Sequence, residues 1–231
     1  MSIFIVGLPR CGSTLVESII SLNTKVKDLG EVNIFEESYR EYKQSEKQKS
    51  LSEIYWKKLE ITDSKTITTN KWLFNYQYAG IIAKAIPNAK IIHCYRNPLD
   101  NILSTYRAHF ATGNNFSSSL VDSAEVYSDQ DEIMRVYKKE FKNHIYSLNY
   151  DKLVTHPSDE IKSLIHWLGW SWNDLYLSPH LNKRKVSTRS NVQVRSPINA
   201  KSLGGWKNYK EMLKPAMEII TKKEKYKDLK Y

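Results

Sequence analysis

A short apolar run, Ile3-Phe4-Ile5-Val6, ends at Gly7 and gives way to Gly7-Leu8-Pro9-Arg10-Cys11-Gly12-Ser13-Thr14, after which Leu15, Ser18, Ile19 and Leu22 recur at helical spacing. This order predicts a buried strand, a glycine-containing loop and a helix. Loop and first-turn amides of such a unit converge on an anion, and the helix dipole adds roughly half a positive charge there. The glycine spacing is that of a phosphate-binding loop. A nucleotide hydrolase carries a lysine after the second glycine to reach the β- and γ-phosphates. Here that position is Ser13, and the nearby cation is Arg10, inside the loop. The expected guest bears a 5′-phosphate, and ATP hydrolysis is not expected.

Further along, strands and helices alternate. Strands are predicted at Thr66-Ile67-Thr68-Thr69, at Ala89 to Tyr95 and at Ile145 to Asn149, and helices at Tyr78 to Ile86, around Glu132 to Phe141 and at Glu160 to Leu168. Asn97-Pro98 reads as an N-cap followed by proline at the first helical position. The polar stretch from Glu31 to Lys58 reads as helical and as a surface excursion. Such a pattern implies a parallel sheet covered on both faces, whose ligands bind beyond the carboxyl ends of the strands. Gly7, Lys71, Arg96 and Tyr150 each follow a strand and would share that rim. The segment from Leu177 to Trp206 lacks periodicity and is expected to be a long ordered loop with a functional role.

The charge is +10 overall, and all of the excess lies after Asp174, where fourteen basic residues face four acidic ones. Lys183, Arg184, Lys185, Arg189, Arg195, Lys201, Lys207 and Lys210 accumulate with no carboxylate before Glu211. That run is compatible with nonspecific nucleic-acid affinity or with a positive rim for an acidic acceptor, and the lysines of the final tail, such as Lys222, Lys223, Lys225 and Lys227, with a solvated surface. Two cysteines, Cys11 and Cys94, support neither a disulfide framework nor a zinc cluster, so no metal is expected. No apolar run reaches the length of about 18 residues needed to span a bilayer, and Met1-Ser2-Ile3-Phe4 lacks the basic region of a signal peptide. A single domain over 1–231 in the cytoplasm is the expectation, with a homodimer possible in principle and nucleic acid an unfavoured partner.

Four segments together resemble the sulfotransferases that use 3′-phosphoadenosine 5′-phosphosulfate (PAPS), above all the tyrosylprotein-sulfotransferase-like branch. They are Val6 to Thr14, Asn70-Lys71, Lys90 to Asp100 with Ser104, and Ser190 to Asn199 continuing to Trp206. The resemblance implies an α/β, P-loop NTPase-like three-layer fold with a central parallel sheet flanked by helices. It implies PAPS as donor, PAP as product, no metal, and a hydroxyl-bearing acceptor such as a peptide tyrosine, a sugar or a small metabolite. Residue by residue, the backbone amides of the loop, Cys11 and Gly12 included, with Arg10, Ser13 and Thr14 would hold the 5′-phosphosulfate; Arg96 and Ser104, the latter about two turns into a helix with Asp100 exposed near its start, would hold the 3′-phosphate. Tyr150 would lie against the nucleotide, and Gln193, Val194 and Asn199 would return over it. The catalytic residues would be Glu31 as base, Lys71 on the leaving group and Ser190 on the sulfonate.

The histidine-dependent small-molecule branch carries its histidine two residues after the lysine, where this chain has Leu73, and this favours glutamate. One departure is Gly205, where the family has a basic residue before the tryptophan at 206; Lys201, Lys207 or Arg195 are candidates to replace it. Two other readings remain open from the sequence, a P-loop small-molecule kinase and a non-enzymatic basic module for nucleic acid or acidic polymer. The missing lysine after Gly12 and the lack of a magnesium ligand beside the loop weigh against the kinase.

Overall fold

The computed structural model describes residues 1–45, 49–61, 66–108, 110, 113–182 and 195–229. Five parallel strands form one sheet in the order β2-β3-β1-β4-β5: β1 (Ser2–Gly7), β2 (Val26–Asp28), β3 (Ile67–Asn70), β4 (Lys90–Tyr95) and β5 (Ile145–Asn149). β1 is central, with Phe4 in register with Asn70 on one side and Ile91 on the other. The chain leaves β1 toward β2 and β3, then crosses back to β4. The order of connection therefore reverses beside β1, which is where a crevice opens in sheets of this kind.

Alternation along β1 and β4 divides the core in two. Phe4, Val6 and Ile91 face one side, packed with Phe35, Tyr55, Leu99, Met134 and Leu213. Ile3, Ile5, Ile92 and Cys94 face the other, packed with Val16, Ile19, Leu148 and Leu164. Burial on both faces is why these strands read as unbroken apolar runs. The first face is covered by α2 (Ile34–Gln44), α3 (Leu51–Leu59), α4 (Ala79–Ala85), α5 (Pro98–Tyr106), α6 (Leu120–Glu140) and α9 (Lys210–Ile220). The second carries α1 (Ser13–Ile20), α7 (Tyr150–Thr155) and α8 (Pro157–Trp167).

Several expectations are corrected here. Apart from residues 46–48, which lie outside the described residues, the stretch from Glu31 to Lys58 is no surface excursion: Phe35 and Tyr55 are fully buried against Phe4 at ring distances of 5.8 and 5.7 Å. Four apolar or aromatic positions on α2 and five on α3 sufficed there, while the charges that dominate the sequence lie on the outer face. The edge strand β2 is only three residues long and escaped a periodicity reading. α6 starts twelve residues before the expected Glu132, capped by the Ser119 hydroxyl accepting from the Asp122 amide. α9 was missed because of Pro215 inside it, yet it buries Leu213, Ala216, Met217 and Ile220. The lysines after it are also not simply solvated, since Lys225 pairs with Asp131 at 2.8 Å and Lys223 donates to the Ser128 carbonyl, fastening the tail to α6.

Candidate functional site

The phosphate-binding loop is built by close approach and by turns. At Gly7 a Cβ would lie 2.4 Å from the Cys94 carbonyl oxygen, so only glycine lets β1 leave the sheet against the end of β4. Arg10 and Gly12 adopt left-handed backbones, with φ of 68° and 95°. A non-glycine residue in that region is strained by roughly 1–3 kcal/mol and persists only where the surroundings hold it. They do: the Pro9 carbonyl accepts from Asn101 Nδ2 at 3.0 Å and from the Thr105 hydroxyl at 3.2 Å, and Arg10 Nε donates to Ser104 Oγ at 3.1 Å. The loop is thus tied to α5, whose first amides are capped by Asn97 Oδ1 accepting from Leu99 and Asp100.

Between the loop, α5 and the 196–205 segment lies a cavity of about 770 Å³, lined by Arg10, Gly12, Thr14, Arg96, Ser104, Arg107, Tyr150, Asn199, Lys201, Ser202 and neighbouring groups. Arg96 is the buried cation at its base. Its guanidinium sits 5.0 Å over the Tyr150 ring and donates to the Ser202 carbonyl at 2.6 Å, while its Nε has no hydrogen-bond partner among the described residues. A buried donor without a partner carries a desolvation cost that an anion would relieve. The Tyr150 hydroxyl shares a hydrogen bond of 2.8 Å with Ser202 Oγ, which fixes the ring under the loop.

Lys71 lies beside the loop at Cys11 but does not itself line this cavity. Its side chain is 1% exposed, and its Nζ donates to Glu31 Oε1 at 2.6 Å with Glu17 Oε2 at 3.9 Å. Glu31 is held by backbone: the Lys71 amide donates to the Gly30 carbonyl at 2.8 Å, and Asn70 Nδ2 donates to the Val32 carbonyl at 3.1 Å. Glu31 itself is half-exposed, so the pair presents a carboxylate to solvent and keeps its cation inside. The Lys71 charge also helps hold the Cys11 thiol below its ordinary pKa, after the hydrogen bond from Cys94, the largest cause. Burial drives the Cys94 thiol well above the ordinary range.

Ser13 and Asp100 sit otherwise than expected. The side chains of Cys11 and Ser13 do not line the cavity; Ser13 is hydrogen-bonded to the buried Cys11 sulfur, so only the backbone of this stretch is offered to a ligand there. Asp100 is not exposed but buried, because it accepts from the Gly204 amide at 2.7 Å and the Trp206 amide at 3.0 Å. This contact fixes the turn in which Gly205 replaces a basic residue. Of the candidates to replace that charge, Lys201 lines the cavity, Arg195 donates instead to the Asn182 carbonyl at 2.6 Å, and Lys207 is exposed outside it. Ser190, Gln193 and Val194 lie outside the described residues, as do Lys183, Arg184, Lys185 and Arg189.

A family model described as "Sulfotransferase family" matches residues 40–174. The chain belongs to the sulfotransferase family. It is 31% identical to an uncharacterized protein of Aquifex aeolicus over 94% of this chain and 32% of that protein. It is 25% identical to Protein-tyrosine sulfotransferase 1 of Danio rerio over 88% of this chain and 65% of that protein. The chain therefore spans about a third and under two thirds of these relatives' lengths. Its fold is similar to the sulfotransferase domain of the curacin biosynthetic pathway, with a TM-score of 0.70 and 15% identity over 95% of this chain and 96% of that one. It is similar also to a mouse sulfotransferase complexed with PAP, with a TM-score of 0.60 and 15% identity over 99% of this chain and 86% of that one.

Sequence reasoning missed Glu17, Asn70 as the clamp on the Glu31 turn, Asp100 as the clamp on the 204–206 turn, Ser202 and Arg107. A charged residue on the interior face of the first helix, three positions after Thr14, was the available signal for Glu17. Among the described residues no cluster of His, Cys, Asp and Glu could hold a metal ion, and no helix is long and apolar enough to cross a membrane.

Proposed function

We propose that this sulfotransferase-family chain, as one catalytic domain, transfers the sulfuryl group of PAPS to an acceptor hydroxyl by in-line displacement. The buried Lys71 paired at 2.6 Å with a half-exposed Glu31 carries the reading. A cation kept beside a phosphate-binding loop that lacks its own lysine suits charge developing on a leaving phosphate, and an exposed carboxylate next to it suits removal of the acceptor proton. His93 is unfit for that proton: it is wholly buried, pushed well below its ordinary pKa chiefly by burial, and hydrogen-bonded to Gln130 at 2.6 Å.

The cavity residues fit the two phosphates of PAP. Arg10, Thr14 and the loop amides would hold the 5′ end, and Arg96 Nε, without a hydrogen-bond partner among the described residues, would with Ser104 hold the 3′-phosphate. Tyr150 would lie against the nucleoside, Asn199 and Lys201 would close over it, and Ser190, Gln193 and Val194 would complete the donor site. PAPS, when bound, supplies the activated sulfuryl group and a phosphate leaving group. Lys71 holds positive charge for that phosphate, Glu31 takes the proton from the acceptor oxygen, and Ser190 donates to the sulfonate.

For the acceptor, the likeness to the Danio rerio protein-tyrosine sulfotransferase and the glutamate in place of a histidine support a phenolic hydroxyl, as in a peptide tyrosine. Incubating the protein with radiolabelled PAPS and a panel of tyrosine peptides, phenols and sugars tests this. Label on the peptides or phenols is expected. Label on sugars alone would overturn the acceptor reading, and PAPS left intact with every acceptor would overturn the reaction.

A further inference from the structure

Resting on the reading above, we infer that Glu17 is a positioning residue for Lys71 and sets the proton affinity of the Glu31 side of the pair. Glu17 is 1% exposed on the inner face of α1, one turn after Thr14 of the cavity lining. Its Oε2 lies 3.9 Å from Lys71 Nζ, and its Oε1 accepts from the Thr69 hydroxyl at 3.5 Å. The ammonium therefore meets two carboxylates of different standing: one sealed in the core on the phosphate-loop helix, the other half-exposed on the turn after β2. Among the described residues, the titratable and charged groups facing Lys71 are Glu17 from α1, Glu31 from that turn, Cys11 from the loop and Cys94 from β4.

This asymmetry has a chemical use. When Glu31 takes the acceptor proton it becomes neutral, and a buried ammonium with no remaining counter-charge would be severely destabilised. Glu17, sealed beside the ammonium, stays in place through that step, so Lys71 keeps a carboxylate neighbour and its position for the leaving phosphate. Its negative charge also opposes over-tight pairing between Lys71 and Glu31, which would otherwise weaken the carboxylate as a base. The phosphate loop, the cation and the base are thereby indexed to one helix.

The test compares the parent with Glu17→Gln and Glu17→Asp, using PAPS and 2-naphthol, a phenol that needs a base near neutrality. In Glu17→Gln, kcat is expected to fall roughly tenfold, and the acid limb of the kcat/KM profile to move about one pH unit lower, as loss of a neighbouring negative charge requires. PAP should bind it as it binds the parent. Glu17→Asp keeps the charge but draws it back, so kcat should fall while the limb stays. Independently of turnover, the ¹⁵N ammonium signal of Lys71, assigned by its loss in Lys71→Arg, should be resolved in the parent and broadened away in Glu17→Gln. A folded Glu17→Gln with parental kcat, limb and ammonium signal would overturn the inference; if that variant does not fold, a parental kcat in Glu17→Asp would do so. A parent without turnover of any acceptor strikes the proposed reaction instead, and the ammonium signal still decides the positioning.

Discussion

Gly12→Ala probes the cradle with a single methyl group. A Cβ at Gly12 would sit 2.2 Å from Tyr150 Cδ2, at a backbone φ of 95° that alanine rarely adopts. The backbone alone costs about 1–2 kcal/mol. Tyr150 cannot swing away freely, because it is held by Ser202 Oγ at 2.8 Å and by the Arg96 guanidinium 5.0 Å above its ring. Displacing it forfeits a hydrogen bond of about 1 kcal/mol and a cation–π contact of about 1 kcal/mol. The sum, about 3–4 kcal/mol, corresponds to a fall in Tm of roughly 6–16 °C for a chain of this size. Scanning calorimetry on Gly12→Ala, Tyr150→Ala and the double variant measures it. Since the clash needs both partners, the double variant should be more stable than the sum of the singles predicts, by at least ~1 kcal/mol. Strict additivity, or a loss under ~1 kcal/mol in Gly12→Ala, would show that the loop does not rest on Tyr150.

Three further outcomes are expected. Glu31→Gln and Lys71→Ala should each lose about two to four powers of ten in turnover with PAP affinity within a few-fold of the parent, measured by single-turnover kinetics and calorimetry; a Glu31→Gln variant at parental rate would remove its role as base. Asp100→Ala should destabilise the chain by about 2–4 kcal/mol in urea, because the Gly204 and Trp206 amides lose their acceptor and Arg96 loses the carboxylate 3.8 Å away; unchanged stability would mean that turn is held by other contacts. His93 is buried neutral, so below its unfolded pKa of about 6.5 the unfolded chain binds the extra proton and stability falls as pH drops, by up to ~1.4 kcal/mol per unit. His93→Gln should remove that part of the slope between pH 6.5 and 5, and an identical slope in both proteins would refute it.

The central strands β1 and β4 were legible because each is buried on both faces and announces itself as an apolar run; the edge strand Ile145–Asn149 has its predicted bounds as well. The Asn97-Pro98 start of α5 was equally legible, since capping is local chemistry. Elements whose role is set by distant partners were not. α2 and α3 carry so many charges that only their packing against Phe4 reveals an inner face, and α9 hides behind Pro215. The same division holds in the site. Gly7, Arg10, Gly12, Lys71 and Arg96 follow strands or form the loop and could be picked out by position. Glu17, Asp100 and Ser202 act through contacts 52 to 106 residues away in sequence and needed the fold to be seen.

The central claim is that the cavity between the loop and Arg96 takes a nucleotide with phosphates at both the 5′ and 3′ positions. Titration calorimetry with PAP, AMP and magnesium ATP, on the parent and on Arg96→Ala, tests it most directly. PAP should bind the parent at least about tenfold more tightly than AMP, equivalent to 1.4 kcal/mol or more for the 3′-phosphate, and Arg96→Ala should erase that difference. Equal affinity for PAP and AMP in the parent, or preference for magnesium ATP, would contradict the account.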